Sequence, residues 1–264
     1  MLFKKFTIIF CLWIIVSIKV TIAADLLSHK AFYLLNIKKT DMKSSLEGGK
    51  GQSILEMKKV CNGWDVNEDY VLIYELANKK NAKSFSSYKT FENFDGSQHS
   101  FQVNEKSDFN GENSFEGYVQ KFKNKTTGLL INKNTKKLSY ENDVLFPIEH
   151  LKLLINAAEN KEKNFTSKVF FGSNEEELTK IVSAFIGKKR ISVLNKNKSI
   201  SEKYIWPVKL AFYNINTKQS KPDYEIKLEI DEDGIIHYYE TDYGDFIIEA
   251  NLGKISYLND LKCK

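Results

Sequence analysis

The chain has 264 residues, and its 39 lysines and arginines against 34 acidic residues give a formal net charge of +5. Eighteen phenylalanines and 13 tyrosines against only three prolines favour β-strands, because aromatic side chains suit a pleated surface. The segment 1–24 holds three of the lysines and no acid, so the rest carries only +2, which removes the electrostatic case for a nucleic-acid partner.

The first 24 residues have the layout of a secretory signal peptide. Lys4 and Lys5 precede an almost unbroken apolar run over residues 6–18, and small residues end the segment at Ala23 and Ala24. The run is short for a transmembrane span, although an uncleaved anchor is an alternative. We therefore expect export and cleavage near Ala23 or Ala24.

Two of the three cysteines remain after that cleavage, because Cys11 lies in the leader. An even pair of thiols in an exported protein is usually a disulfide, so we predict a bond between Cys61 and Cys263. It would close most of the mature chain into a loop and stabilise it by at most about 5 kcal/mol. Trp64 is expected to cover the bond in the core, with ligand stacking as the alternative. The other reading makes Cys61 a nucleophile, which needs a nearby base.

The N-terminal half is predicted to be a series of β-strands. Apolar residues alternate at a period of two over 29–37, which is typical of a strand with a buried face. The glycine-rich segment 41–51 indicates a turn, and the pair Asp95 and Gly96 between aromatic runs indicates a hairpin. The predicted strands span residues 29–37, 52–60, 70–77, 115–123 and 128–138, with the hairpin over 84–103.

One segment breaks the β pattern. Pro147 suits a first helical position, and apolar residues then recur at helical spacing up to Ala158, which predicts an amphipathic helix against the sheet. Residues 173–186 are ambiguous. Ser173 and Glu176 form a capping box for a helix, whereas several β-branched residues there favour a strand.

The C-terminal third is the clearest β region. Apolar and charged residues alternate strictly over 224–230, a turn follows at Asp233 and Gly234, and the alternation returns over 246–252. Such alternation buries one face of an antiparallel sheet. No linker, repeat or change of composition divides the mature chain, so residues 25–264 are predicted to form one β domain.

Motifs for catalysis or metal binding are weak or absent. The four histidines stand singly, without the spacing of a zinc site; they are His29, His99, His150 and His237. The run from Asp231 to Gly234 opens like a calcium loop, but the later liganding positions do not follow, so we interpret it as a hairpin tip. The sequence contains no nucleophile elbow and no phosphate-binding loop. We expect no metal, no cofactor and no enzymatic activity.

Short groups of residues follow one another along the mature chain, and their combination is distinctive. They are His29, Lys30, Ala31 and Tyr33; Cys61, Gly63 and Trp64; Phe146, Pro147 and His150; Val169, Phe170, Gly172 and Ser173; Ala184, Ile186 and Gly187; Trp206, Pro207, Val208, Leu210, Ala211 and Phe212; Pro222, Tyr224 and Glu225; Tyr243, Gly244, Asp245 and Phe246; and Cys263. With these groups the chain resembles the EipB-type cell envelope integrity proteins, periplasmic β-spiral proteins of alphaproteobacteria. It departs from them mainly in its lysine and asparagine content.

The resemblance implies a mainly β fold. We expect a single open, spiral-like or barrel-like antiparallel sheet of about 14 strands, with one amphipathic helix and a Cys61–Cys263 disulfide. The resemblance also implies a strand over residues 178–186, against the local helix signal. The structural core is expected to include Trp64, Trp206, Pro207, Tyr243, Gly244 and Asp245.

The resemblance further implies a role in maintaining the cell envelope from the periplasm, with a periplasmic tetratricopeptide-repeat protein as a partner and no established enzymatic activity. Our first hypothesis is that the curved β surface binds another envelope protein or a peptide. The alternative is that the sheet encloses an apolar ligand, such as a lipid or the acyl chain of a lipoprotein. A third hypothesis, an enzyme that uses Cys61, requires that thiol to be free.

Overall fold

The computed structural model describes residues 24–41, 44–77, 80–192, 203–215, 220–261 and 263. These residues form 16 β-strands and one α-helix. The elements are β1 (His29–Lys39), β2 (Leu46–Val60), β3 (Gly63–Leu76), β4 (Asn81–Asn93), β5 (Gln98–Ser107), β6 (Gly111–Phe122), β7 (Lys125–Ile131), β8 (Thr135–Tyr140), β9 (Val144–Leu145), α1 (Pro147–Glu159), β10 (Asn164–Phe170), β11 (Thr179–Ile186), β12 (Arg190–Ile191), β13 (Tyr204–Asn214), β14 (Tyr224–Ile230), β15 (Ile236–Asp242) and β16 (Phe246–Tyr257). The signal peptide predicted over 1–24 lies, except for Ala24, outside the described residues, so it and its cleavage site stay predictions.

The strands form one sheet that curls into a nearly closed barrel. Its order is β8-β7-β6-β5-β4-β3-β2-β1-β16-β15-β14-β13-β11-β10-β9, with β12 paired to β13. The two edges, β8 and β9, are consecutive in the chain, so the barrel has one seam. All described pairs are antiparallel except the short parallel pair of β9 with β10. The expected barrel-like β fold with one helix is confirmed, and β9 and β12, of two residues each, lie beyond the expected strand number.

The alternating pattern of the sequence explains which side of each strand faces inward. In β1, every second residue from Ala31 to Ile37 is buried, whereas Leu34 between them is exposed. Both edges of β1 are occupied, because β2 pairs with one and β16 with the other. The first and last strands of the chain therefore lie side by side in the middle of the sheet.

Helix α1 packs across one end of the barrel, called the helix end below. It begins at Pro147, as predicted, and its apolar stripe includes Leu154 and Ile155. That stripe joins a buried cluster with Trp64 and Trp206, which lie near the starts of β3 and β13. The opposite end of the barrel is called the far end. No helix among the described residues is both long and apolar enough to cross a bilayer.

The turn predicted over 41–51 is wrong in its second half, because β2 already begins at Leu46. Gly51 shows the physical reason. A Cβ atom at this position would lie 2.4 Å from the carbonyl oxygen of Val71 on β3, so the glycine permits a close approach of two strands. The third strand is also longer than predicted and begins at Gly63.

The other strand predictions hold with smaller changes. The hairpin at Asp95 and Gly96 joins β4 to β5, and the amide of Gly96 donates to the carbonyl of Asn93 at 3.0 Å. The strand predicted over 128–138 is in fact two strands, β7 and β8, which pair with each other across a turn at residues 132–134. The C-terminal alternation corresponds to β14 and β16.

The ambiguous segment 173–186 contains a strand, β11, as the resemblance implied. Val182, Ala184 and Ile186 are buried, and Phe185 between the last two is exposed. Pairing explains why the local helix signal loses: β11 is hydrogen-bonded to β10 on one side and to β13 on the other. Two backbone ladders and a buried face outweigh a capping box.

Candidate ligand-binding cavity

The barrel encloses a cavity of about 490 Å³ between the first turn of α1 and the far end. Pro147 lines it at the helix end, and Tyr243 and Phe246 line it towards the far end. Two separate parts of the sheet supply most of its walls. The neighbouring strands β3 and β4 form one side, and the neighbouring strands β15 and β16 form the other. The volume falls in the range of about 300–1,000 Å³ typical of small-molecule sites.

Strand β3 supplies the chemically distinctive wall of the cavity. Its even-numbered residues face inward, so Glu68 follows Val66 and precedes Tyr70 in the row that lines the cavity. The odd-numbered Asp65 and Asp69 are exposed on the outer face. The period of two in the strand therefore directs one carboxyl group of this acidic stretch into the barrel.

Glu68 is the one charged residue among the residues that line the cavity; none of those lining residues is a lysine, arginine or histidine. The Tyr70 hydroxyl donates a hydrogen bond to its carboxylate. Burial raises the pKa of Glu68 to about 7, partly opposed by that hydrogen bond. The cavity thus holds a carboxyl group that changes its charge near neutral pH.

Tyrosine rings surround this carboxyl group. Tyr70 packs edge-on against Tyr88, with ring centroids 6.2 Å apart. From the opposite wall, Tyr239 approaches Glu68 and Tyr70 closely enough to interact with both, and its buried hydroxyl makes no hydrogen bond of good geometry. Burial raises the pKa of Tyr239 above its usual value, so this side chain stays neutral. The group has hydroxyl dipoles and ring faces but no cation.

A second aromatic group lies towards the far end. Tyr74 contacts Phe109 and Phe246, with ring centroids 5.3 and 6.5 Å apart. Tyr243 stacks on Phe246 at 5.0 Å and also approaches Tyr224 at 6.0 Å. A hollow of about 430 Å³ shares Tyr74 and Phe246 with the main cavity and continues to Phe109. The cavity therefore extends towards the far end between aromatic side chains.

At the helix end, Glu92 of β4 binds the first turn of α1. Its two carboxylate oxygens accept the amide hydrogens of Ile148 and Glu149, both at 2.8 Å. Burial raises the pKa of Glu92 to about 7, although these hydrogen bonds oppose the shift. Lys121 forms an ion pair with Glu149 at 2.7 Å and lies 4.7 Å from the ring centroid of Phe146. The roof of the cavity is thus tied to the wall.

Cys61 and Cys263 form a disulfide in the structure, with their Cα atoms 5.4 Å apart. Cys61 lies in the turn between β2 and β3 at the helix end, and both cysteines are exposed. A sulfur held in a disulfide is not a free nucleophile, so this structure gives no support to an enzyme that uses Cys61.

The residues predicted to form the core separate into two groups. Trp64, with 1% of its surface exposed, and Trp206 are buried in the cluster under α1. Trp64 packs against Phe94, with ring centroids 6.4 Å apart, whereas the disulfide itself is exposed. Pro207 is half-buried and pairs with Glu229 across β13 and β14.

For Tyr243, Gly244 and Asp245 the expectation of a core position is wrong. They form the exposed turn between β15 and β16, where 48% of the Tyr243 surface is accessible. The physical reason is the turn itself, because Gly244 has a φ of +89°, a conformation that favours glycine. These three residues form the tip of a hairpin at the far end of the barrel, beside the cavity.

The histidines do not form a metal site in the described part of the chain, where no group of three potential ligands comes together. All four are buried, and His237 pairs with Asp231 at 2.8 Å. Asp231 also accepts hydrogen bonds from the amides of Asp233 and Ile235, at 3.0 and 2.9 Å. The interpretation of this run as a hairpin tip is confirmed.

Sequence reasoning missed both glutamates of this site, Glu68 and Glu92, and the tyrosines Tyr70, Tyr88 and Tyr239. The predicted third strand began at Tyr70, which left Glu68 outside it. Alternate residues of a strand face the same side. In a strand that begins at Trp64, the apolar residues Trp64, Val66 and Tyr70 therefore share one face, and Glu68 lies on that same face. Glu92 carries no local signal, because the helix that it binds begins more than fifty residues later.

Three comparisons relate this cavity and fold to known proteins. A family model described as EipB-like matches residues 21–259. The cell envelope integrity protein EipB of Brucella abortus (strain 2308) is 25% identical over 238 residues, which cover 88% of this chain and 85% of that protein. The crystal structure of a beta-barrel-like protein of the domain of unknown function DUF1849 from Brucella abortus superposes with a TM-score of 0.82 at 24% identity, covering 90% of this chain and 100% of that chain. The chain therefore belongs to the EipB-like family.

Proposed function

We propose that the protein supports the integrity of the cell envelope as a non-enzymatic periplasmic protein, and that it does so by holding an apolar ligand inside its barrel. A lipid, or the acyl chain of a lipoprotein, is the ligand class that fits. The name of the Brucella relative, a cell envelope integrity protein, supports the envelope role. The signal-like leader supports export to the periplasm.

The observation that carries the ligand proposal is the composition of the cavity. One end is covered by α1, and the walls present aliphatic side chains such as Leu35, Leu72 and Ile248 among tyrosine rings. Such a lining excludes water from an acyl chain and stabilises it by about 25 cal/mol for each Å² of apolar surface that is buried. A few polar groups remain to orient the ligand.

The test is native mass spectrometry of the exported protein, followed by lipid extraction. We expect a bound lipid that is lost in the variant Ser86→Trp, because Ser86 lines the cavity opposite Tyr70 on β3. Val71→Trp is the matched control, since Val71 lies on the outer face of the same strand pair. A protein free of lipid in every preparation, or equal lipid content in the two variants, would count against the proposal.

A second candidate function, binding of another envelope protein, is favoured by an outer-face patch. Tyr118 and Phe122 on β6 and Ile131 on β7 are exposed, and 56% of the Phe122 surface is accessible. Next to this patch, edge strand β8 carries Lys136 and Lys137, and lysines on an edge discourage strand addition. A partner would therefore bind the face of the sheet rather than its edge.

The partner proposed for this face is a periplasmic tetratricopeptide-repeat protein. Co-purification of the two exported proteins tests it, with the double variant Tyr118→Ser and Phe122→Ser expected to lose the complex. Phe85→Ser is the control, because Phe85 is an exposed aromatic residue on the outer face of β4. Equal recovery of the partner with the parent, the double variant and the control would show that the partner does not bind this surface.

A further inference from the structure

We infer that the cavity selects a ligand with a positively charged ammonium group at the head of an apolar chain, and that Glu68 and the tyrosines around it bind that group. This inference rests on the proposed binding of an apolar ligand in the barrel. The charge of the head group would then determine which of several amphiphiles with the same apolar chain binds most tightly.

Within the described residues, no cation lies among the residues that line the cavity around Glu68. Its carboxylate takes part in no ion pair there, and none of the lysines, arginines and histidines in that part of the chain lines the cavity. The charged group that acts on it most directly is Asp69, which is also acidic. A carboxylate removed from bulk water without a cation is unfavourable, and a cationic ligand would compensate it.

Aromatic side chains flank the carboxyl group of Glu68. Tyr70, Tyr88 and Tyr239 line the same cavity, and Tyr33 contacts Tyr239 edge-on at a centroid distance of 5.6 Å. The face of a tyrosine ring attracts cations, and aromatic side chains grouped around a cation are a recurrent means of binding ammonium groups. The carboxylate and the tyrosine rings next to it would both attract the same cationic head group.

The rest of the cavity is apolar and suits the chain of such a ligand. Beyond Tyr70 the inward row of β3 continues with Leu72 towards the far end, and Leu35 and Ile248 face the same space. An apolar chain would therefore extend from the ammonium group at Glu68 towards Tyr243 and Phe246. An anionic head group in the same position would meet Glu68 with no cation among the lining residues to balance it.

Three probes with the same chain and different heads test the inference: 1-aminododecane, 1-dodecanol and dodecanoate, each used below the concentration at which it aggregates or separates from water. Affinity for the delipidated, disulfide-intact protein is measured by titration calorimetry at pH 8. We expect the amine to bind roughly 10-fold more tightly than the alcohol, and dodecanoate most weakly, since one charge-assisted contact contributes about 1.4 kcal/mol.

The variant Glu68→Gln should lower the ratio of amine to alcohol affinity from about 10 towards 1, leaving only the contribution of the tyrosine rings. Glu75→Gln is the matched control on the same strand, because Glu75 is exposed on the outer face, and it should leave the ratio unchanged. If the Gln variant does not fold, the order of the three affinities in the parent protein decides the question.

The outcomes separate the two proposals. If none of the three probes binds, the proposed apolar ligand is wrong. If the amine and the alcohol bind equally to the parent, or if Glu68→Gln leaves their ratio unchanged, the apolar site stands and the ammonium selectivity is wrong. If an apolar peptide with a free amino terminus binds in a Glu68-dependent way and the amine does not, the ligand is a peptide and the assignment to an amphiphile is wrong.

Discussion

The carboxylate of Glu92 accepts a hydrogen bond from the amide of Ile148 at 2.8 Å, and this contact fixes the start of α1 to the inner face of β4. The first amides of a helix have no acceptor within the helix. Here a strand residue supplies that acceptor, because the residue at the start of the helix, Phe146, has no side-chain oxygen. One glutamate from the wall of the cavity therefore supplies the acceptor for the first amides of the helix that covers it.

Replacing Glu92 by Ala should lower the free energy of unfolding by about 1–3 kcal/mol, because two buried amides lose their acceptor. Thermal denaturation at pH 8 measures the effect. Glu116→Ala, on the outer face of β6, is the control and should change the melting temperature little. Equal melting of the two variants would mean that the carboxylate does not stabilise α1.

The raised pKa of Glu68 predicts a pH dependence of stability. Because the folded state binds this proton more tightly than the unfolded chain, the stabilisation is complete below the usual value of 4.5 and is lost as pH rises through about 7. The variant Glu68→Gln stays neutral at all pH values. Its melting temperature should therefore rise relative to that of the parent between pH 5 and pH 8, by the equivalent of up to about 3 kcal/mol.

The quantity to compare is the difference in melting temperature between variant and parent at each pH, because the pH profile of the parent alone also reflects other titrating groups. Burial lowers the pKa of His29, His99 and His150, so these residues oppose the effect and reduce stability as the pH falls. They are present in both proteins, and their contribution cancels in the difference. A difference that is constant from pH 5 to pH 8 would contradict the raised pKa of Glu68.

The disulfide should contribute to stability through the unfolded chain. The double variant Cys61→Ser and Cys263→Ser is expected to melt at least several degrees below the parent, since the bond spans 202 positions. Both cysteines are exposed, so a mild reductant should bring the parent to the same melting temperature without denaturant. Thiol alkylation before and after reduction checks that the bond has formed, and identical melting of parent and variant would show that it is not a structural bond.

Replacing Trp64 by Ala should cost about 3–5 kcal/mol, because the side chain is almost completely buried under α1. Phe94→Ala, which removes the exposed ring that packs against Trp64, is the graded control and should cost less. Urea denaturation gives both values. If the Trp64→Ala variant were as stable as the parent, Trp64 would not be a structural core residue, and a role in ligand stacking would be favoured.

The sequence predicted the elements whose signal is local. Strict alternation identified β1 and β14, Asp95 and Gly96 identified a hairpin, and Pro147 identified the start of the helix. Features that depend on distant partners were missed or misjudged. Gly51 indicated a turn because nothing in its neighbourhood reveals that β3 approaches it, and the capping box at Ser173 favoured a helix because the ladders on both sides of β11 are invisible from one segment.

The candidate site was harder to predict than the fold for the same reason. Glu68 becomes distinctive only when Tyr239, from the other end of the chain, closes the space opposite it. The aromatic residues that line the cavity are individually ordinary strand residues. What makes them a site is the curvature of the sheet, which no sequence period encodes.

The order of the strands divides the molecule into two half-sheets, β1–β8 and β9–β16, each built from one continuous half of the chain. The halves meet along a single ladder, between β1 and β16, and a single sulfur–sulfur bond crosses between them. The described strand pairs include none between β8 and β9, so a cut in the link from residue 141 to 143 would sever the chain without breaking any of those ladders. The two fragments would still be covalently joined through Cys61 and Cys263, so the product of a single cut at the seam is one disulfide-linked molecule.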